Sequence, residues 1–264
     1  MQTRHVNRQQ YFEEQGRVTE KYVIPYIASV IPVTAQTRVL EIGCGEGGNM
    51  VPFVRRGCET IGVDINERQI KLAGEFLKQA LPQSAVRLLA KDIYLVDDQQ
   101  IGRFDLIMLR DVIEHIPQQE RFFQHLKTFL KPGGKVFFGF PPWRMPFGGH
   151  QQNCRSRVLD KLPYFHLLPM KAFQFILRLF GESEGSVQAL AEIKETGIGI
   201  DRFERIVRET GFHFDKKTYY LINPNYEIKF GLKPREQWPL IASIPYFRDF
   251  FTTCVYCVVG LKQG

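Results

Sequence analysis

Residues 39–50 read "VLEIGCGEGGNM": an apolar run, an acid, and then a loop rich in glycine. Gly43, Gly45 and Gly48 fit the spacing G-x-G-x-x-G. Between a strand and a helix, that spacing lets a ligand approach the backbone closely. Glu41 stands just before the loop, where a dinucleotide would have to bring its pyrophosphate close. Two like charges near contact repel by about 4 kcal/mol at an intermediate effective dielectric. The loop therefore favours a cation or ribose hydroxyls over phosphates. No G-x-x-x-x-G-K-[ST] occurs, which removes a P-loop.

Outward from this stretch, strand and helix alternate. "RVLEIG" is a strand and "GNMVPFVRRG" a helix. "ETIGVDI" is the second strand, followed by "NERQIKLAGEFLKQAL", a helix that opens at an Asn cap and stops near Pro82. "AVRLLAKDI" and "FDLIMLR" are the third and fourth strands. The helix "QERFFQHLKTFL", the turn "KPGG" and the strand "KVFFGF" come next. "IDRFERIVRETG" adds a helix, and "FHFDKKTYYLI" and "TTCVYCVVGLK" add the last two strands. Alternation of this kind predicts an α/β fold, a doubly wound parallel sheet with helices on both faces. Seven strands are expected, the last of them antiparallel.

Residues 4–31 read as one or two helices broken at Pro25. Residues 141–199 and 223–251 are far longer than ordinary connections, and their aromatic content argues against disorder. The chain 1–264 thus reads as one domain. Its parts are an N-terminal helical cap (1–36), a core (37–140), an insertion (141–199) and a C-terminal core (200–264) carrying the insertion 223–251. Both insertions are expected at the carboxyl edge of the sheet.

Of the 264 residues, 44% are hydrophobic, enough for a sizeable core. No apolar run of roughly 18 residues is present, and the N-terminal stretch is polar without an apolar signal core. A cytoplasmic protein is expected. Five cysteines, an odd number, give no disulfide framework. Cys254 and Cys257 lie three apart on a strand and so face opposite sides, and no second pair completes a zinc site. No metal is assigned. The formal charge of +7 favours an anionic partner, although a soluble enzyme that is merely basic fits equally.

In open parallel sheets the ligand lies beyond the carboxyl ends of the strands. Glu41, Asp64, Asp92 and Arg110 all fall at or just past such ends. S-adenosylmethionine, with a sulfonium, an ammonium and a ribose diol, suits such a pocket. Here the chain resembles the class I S-adenosylmethionine-dependent methyltransferases, and among them the quinone-type O-methyltransferases. The motifs are "VLEIGCGEG", "GVDI", "KDI", "FDLIMLRDVIEHIP" and "LKPGGKVFF", all within residues 37–140, with "RETGF" extending the match to about residue 222.

The resemblance implies a Rossmann-like methyltransferase fold with N-terminal helices and two lid insertions. It also implies roles. Gly43, Cys44 and Gly45 would pass their backbone along the methionine part, with Glu41 organising that end. Asp64 would accept both ribose hydroxyls and Ile65 would pack on adenine. Asp92 would take the adenine amino group while the Ile93 amide reaches the ring. Arg110 would offer backbone to the methionine ammonium. Taken alone, Asp64 reads equally as a helix cap, but Asn66 suits that role better.

Methyl transfer to a hydroxyl is helped by a general base. On a helix opening at "RDVIEHIP", Asp111, Glu114 and His115 would share one face. That face suits a base or a divalent ion, or more simply orients the loop over the cofactor. His150, in the Pro- and Gly-rich segment after the fifth strand, is the preferred base, with His115 second; a solvent-facing loop histidine is the ordinary reading. "FPPW" at 140–143 resembles the N-P-P-[YFW] motif of amino-methylating nucleic-acid enzymes, but Phe140 lacks the polar head and follows the wrong strand. No Pro-Cys nucleophile occurs, since Cys154 follows Asn153. Nucleic acid is therefore disfavoured.

The leading expectation is methyl transfer from S-adenosylmethionine to oxygen on a small, largely apolar molecule. N- or C-methylation and a non-catalytic S-adenosylmethionine-binding protein are the alternatives. Residues 155–181 carry five Lys or Arg against one Asp, and Phe173, Ile176, Leu177 and Phe180 are spaced as one helix face. Such a helix either forms a lid packed on its own domain or makes peripheral contact with an anionic membrane.

Overall fold

Residues 7–262 are described in a computed structural model. The chain enters through α1 (Arg8–Val18), capped by the Asn7 side chain on the Gln10 N–H. One π turn, Thr19–Val23, leads straight into α2 (Ile24–Ala28). The break expected at Pro25 is absent. A proline ring crowds the carbonyl four residues back, here that of Lys21, and the wider π turn, in which Ile24 N–H bonds the Thr19 carbonyl, makes room for it. Residues 4–6, assigned to the same helix from sequence, lie outside the described residues.

The sheet begins with β1 (Arg38–Ile42), β2 (Glu59–Asp64) and β3 (Arg87–Ala90), and continues with β4 (Phe104–Arg110) and β5 (Leu130–Phe140). β6 (Phe212–Ile222), β7 (Arg235–Glu236) and β8 (Cys254–Leu261) complete it. The order is β3-β2-β1-β4-β5-β8-β6-β7. The first five strands are parallel, while β8 is antiparallel to both β5 and β6. The order therefore reverses between β1 and β4, the switch point at which doubly wound sheets bind ligands.

There are eight strands rather than the expected seven. β7 is a two-residue edge pairing inside the insertion 223–251, opposite Tyr220 and Ile222. Two charged, exposed residues carry no alternation to read.

Alternation along the central strands divides the core into two faces. Leu40, Ile42, Ile107, Leu109, Val136 and Phe138 face Phe122, Phe123, Phe203 and Ile206. The last four belong to α6 (Gln119–Leu126) and α9 (Ile200–Glu209), with α3 (Val51–Arg55), α4 (Glu67–Ala80) and α5 (Asp98–Ile101) preceding α6 in the chain. Val39, Leu106, Met108 and Phe137 face Ile24, Tyr26 and Ile27 of α2 on the other side. Cys254 and Cys257 fall on opposite faces, as their spacing demands, and all five cysteines are free and buried.

β5 and β6 are both antiparallel to β8, so both insertions leave the carboxyl edge. The first contains α7 (Met170–Leu179) and α8 (Glu184–Thr196), which close a separate apolar cluster around Cys154, Phe165, Phe173 and Leu177. The second contains α10 (Asn225–Phe230) and α11 (Pro239–Ala242). Arg144 reaches the buried Asp249 at 3.2 Å, and Tyr164 Oη donates to the Phe250 carbonyl at 3.3 Å, so the two insertions are joined.

Candidate functional site

β1 ends in a backbone that turns back on β2. Gly43 and Cys44 N–H groups both donate to the Val63 carbonyl, at 2.8 and 3.2 Å. Gly45 N–H donates to Asp64 Oδ2 and Asn66 N–H to Asp64 Oδ1, each at 2.8 Å. Asp64 thus fastens the loop, while Asn66 caps α4 (Glu67–Ala80) through the Arg68 and Gln69 N–H groups. Each carboxylate oxygen of Asp64 keeps a lone pair for another donor. Ile65 beside it is 74% exposed, an apolar platform with no protein cover.

Gly43 has φ +70°, and a Cβ there would lie 2.4 Å from Val112 Cγ2. That close approach brings the turn after β4 against the glycine loop. A Cβ on Gly48 would meet the Phe12 carbonyl at 2.3 Å, so α1 crosses the loop's far end equally closely. The Cys44 side chain is buried in an apolar cluster with Phe12, Met50 and Leu77, so its thiol faces the core and only its backbone lines the loop.

Glu41 is 1% exposed. Asn49 Nδ2 donates to its Oε1 at 2.8 Å, and Oε2 has no hydrogen-bond partner among the described residues. Burial raises its carboxyl to about 8, against the opposing pull of Asn49 and Arg110. Asn49 Oδ1 in turn accepts from Thr19 Oγ1 at 2.8 Å and Arg110 Nη1 at 2.7 Å. Arg110 also donates to Asn225 of the second insertion. Its side chain therefore closes a buried relay from β1 to the insertion. Tyr11, Gln15, Arg110, Asp111 and Asn225 line a cleft beside that relay.

At the end of β3, Asp92 accepts from the Tyr94 N–H at 3.0 Å, and the Ile93 carbonyl meets His125 Nε2 at 2.9 Å. Both residues precede the exposed Leu95, one strand away from Ile65.

The segment 111–116 is not the expected helix. Asp111 takes the left-handed conformation, φ 55°, and only Ile113–His115 form a 3-10 turn. The turn is held to α8, because Thr196 Oγ1 donates to the Glu114 carbonyl at 2.6 Å and Gln119 Nε2 bonds both Ile113 and Thr196 carbonyls. The turn brings together residues that the sequence reading kept apart. The imidazoles of His115 and His150 meet edge to face with centroids 4.9 Å apart. Glu114 lies beneath them, 4% exposed. Burial, with Asp111 adding to it, holds the Glu114 carboxyl well above the usual carboxylate range. Desolvation lowers His115, and the Asp111 carboxylate opposes that shift. His115 is nonetheless exposed enough for a ligand to reach.

Two groups of residues thus stand at the switch point: a carboxylate-lined glycine cradle and, on the turn that Val112 presses against it, a histidine pair. The cradle fits S-adenosylmethionine. Glu41 has an unmatched acceptor for a cation, Asp64 has acceptors left for a diol, and Ile65 has an open apolar face. Tyr11, Thr19, Asn49 and Asn225 were missed from sequence. Asn49, a polar residue beginning an apolar helix, was a readable signal; Thr19 and Asn225 join it only through the fold.

A family model described as a methyltransferase domain matches residues 11–158. The chain is 22% identical over 206 residues to a ubiquinone biosynthesis O-methyltransferase of Acinetobacter baylyi, covering 74% of this chain and 75% of that one. It is 33% identical over 101 residues to a protein of the same description from Idiomarina loihiensis, covering 38% and 41% of the two chains. Among solved structures, a magnesium protoporphyrin IX methyltransferase from Synechocystis PCC 6803 with bound SAH superposes with a TM-score of 0.56. The identity is 14%, over 98% of this chain and 87% of that one.

Proposed function

Because the chain belongs to the methyltransferase domain family, whose methyl donor is S-adenosylmethionine, we propose that it methylates a hydroxyl oxygen of a small, largely apolar acceptor. The observation that carries this reading is the His115–His150 pair, set beside the glycine cradle by the contact of Val112 with Gly43. S-adenosylmethionine supplies an electrophilic methyl group on a sulfonium. Glu41 faces the ammonium end, Gly43, Cys44 and Gly45 line the methionine part, and Asp64 accepts from the ribose diol. Ile65 packs on adenine, with Asp92 and the Ile93 amide at its edge, and Arg110 holds the methionine end through the Asn49 relay. His150, backed by His115, takes the acceptor's hydroxyl proton, and the burial that lowers His115 favours the neutral form of that supporting imidazole.

The apolar acceptor is supported by the two insertions. Nearly all large hydrophobic side chains left exposed among the described residues lie there, including Phe175, Leu179, Trp238, Leu240 and Tyr246. Lys171 and Arg178 flank the first group. An anionic membrane surface matches both the apolar and the basic character of this face, so the same reading includes peripheral contact with such a membrane. No described helix is long and apolar enough to cross a membrane.

The test is incubation with methyl-labelled S-adenosylmethionine and an apolar metabolite extract. A labelled methyl ether is expected. Label on nitrogen or carbon, or no transfer from protein that binds the cofactor, overturns the oxygen assignment or the enzymatic one respectively.

A further inference from the structure

The cleft beside the Arg110 relay has one wall packed into the core and one that is not. Tyr11 and Gln15 of α1 and Asn225 and Ile228 of α10 line it together with Arg110 and Asp111. α1 is fixed: Phe12 and Val18 are buried, and a Cβ on Gly48 would strike the Phe12 carbonyl at 2.3 Å. None of the six residues of α10 is buried. Its two ends are closed by local bonds. Asn223 Oδ1 accepts from the Asn225 N–H at 2.9 Å, and the Gly231 N–H donates to the Glu227 carbonyl at 2.9 Å. Gly231 has φ +70°, and a Cβ there would meet nothing within 4 Å, so the chain has room to turn at that end. A short, self-capped element without a buried residue belongs to the part of a fold that opens most readily.

Polar contacts tie α10 down. Glu227 accepts from Tyr22 Oη and pairs with Lys21 Nζ at 2.8 Å, and Asn225 accepts from Arg110. Lys21 and Tyr22 lie on the π turn whose Thr19 joins the Arg110–Asn49 relay, so one turn carries both. The cleft also holds unmatched groups. Arg110 is 8% exposed, and the neutral oxygens of Thr19, Asn49 and Asn225 engage three of the five N–H groups of its guanidinium. Gln15 Oε1 is buried without a hydrogen-bond partner among the described residues, and a Cβ on Gly48 would lie 2.8 Å from it. A ligand with a carboxylate and an ammonium would satisfy both.

We propose that α10 is a strap that closes over the methionine end of S-adenosylmethionine, and that Glu227 is the positioning residue that latches it. The proposal rests on the placement of that end beside Arg110. The carboxylate takes the remaining guanidinium N–H groups, the ammonium faces Gln15 as well as Glu41, and exchange of the cofactor requires α10 to leave the π turn. Glu227 touches neither the cofactor nor the reacting atoms. It acts through Asn225 and the closed position of α10.

The experiment measures association and dissociation rates of radiolabelled S-adenosylmethionine on the whole chain. Glu227→Ala and Tyr22→Phe should each raise both rates by about fivefold, the scale of one lost polar contact, and leave Kd nearly unchanged. A residue that only supports the cofactor would raise dissociation alone. In a Lys21→Cys, Glu227→Cys chain, a reducible bismaleimide can bridge the latch, because all five native cysteines are buried. Bridging should slow exchange by roughly tenfold or more, and reductant should restore it. Thermal unfolding at the wild-type temperature shows that each variant is folded. Exchange rates unchanged in both single variants, or equal in bridged and unbridged chains, overturn the proposal. Arg110→Met tests the premise separately. Lost affinity there with unaltered exchange in the bridged chain overturns the strap alone, whereas retained affinity overturns the placement and the strap with it. No acceptor is needed, so these outcomes are independent of the oxygen reading.

Discussion

Asp64 and Glu41 carry different parts of the cofactor chemistry and fail differently when changed. Asp64 fastens Gly45 and Asn66 while keeping lone pairs for a diol. Asp64→Ala is therefore expected to weaken S-adenosylmethionine binding by about 1.5–3 kcal/mol, the scale of a hydrogen bond to a charged group. Calorimetry showing equal affinity in the two proteins would refute the ribose assignment. Glu41 acts on stability as well. Its carboxyl is raised from 4.5 to about 8 by burial. Between those values the folded chain keeps a proton that the unfolded chain gives up, so stability falls as pH rises through the window and levels off above it. Glu41→Gln cannot ionise and should flatten that part of the Tm profile of the ligand-free protein. Parallel profiles for the two proteins would contradict the assignment.

At the scale of elements, the first insertion is organised from within. Phe173 and Leu177 of α7 are fully buried with Phe165 and Val187, whereas Phe175 and Leu179, 65% and 68% exposed, form a second apolar stripe one turn apart. The helix face read from sequence thus packs on the insertion itself, although its last member, Phe180, remains partly exposed. The segment is pinned to β5's exit by His166, whose Nε2 donates to the Trp143 carbonyl at 2.7 Å while Nδ1 faces Gln151 Nε2. Burial depresses His166 from 6.5 to about 4, opposed by the Trp143 bond. A histidine held neutral contributes stability above its ordinary value that is lost as pH falls toward the depressed one. Limited proteolysis within 141–199 should accelerate between about pH 6.5 and 4, before the sheet core opens. A cleavage rate independent of pH across that interval would show that His166 does not control the segment.

Over the whole molecule, the exposed apolar side chains collect on the carboxyl-edge insertions, and outside these only Ile65 and Leu95 are large, apolar and exposed among the described residues. Co-sedimentation with anionic vesicles at low ionic strength is expected, diminishing with salt. The variant to use is Phe175→Ser with Leu179→Ser, because both side chains are exposed, whereas Phe173 holds the insertion together. Each exposed side chain is worth roughly 1.5–3 kcal/mol if fully buried in an interface, so the double change should cut vesicle binding by an order of magnitude or more. Binding unchanged by that pair would move the contact to another surface.

What the sequence by itself determined were features set by local periodicity and local chemistry. The strand–helix alternation, the Asn66 cap, the opposite facings of Cys254 and Cys257 and the cradle "VLEIGCGEGG" all depend on residues within one or two turns of each other. The eighth strand, the uninterrupted helix through Pro25 and the turn at 111–116 escaped it. The π turn holds Asn49 through the Thr19 hydroxyl, the edge strand pairs with Tyr220 and Ile222, and the left-handed Asp111 donates its N–H to the Gly139 carbonyl, all of them partners beyond the local window of the sequence pattern. Only the tertiary structure brought Thr19, Asn49, Arg110 and Asn225 into one relay, and Glu114, His115 and His150 into one cluster. The reason is that desolvation and proximity are properties of packed neighbours. Glu41 and Glu114 are ordinary acids along the chain and become distinctive only when folding removes their water.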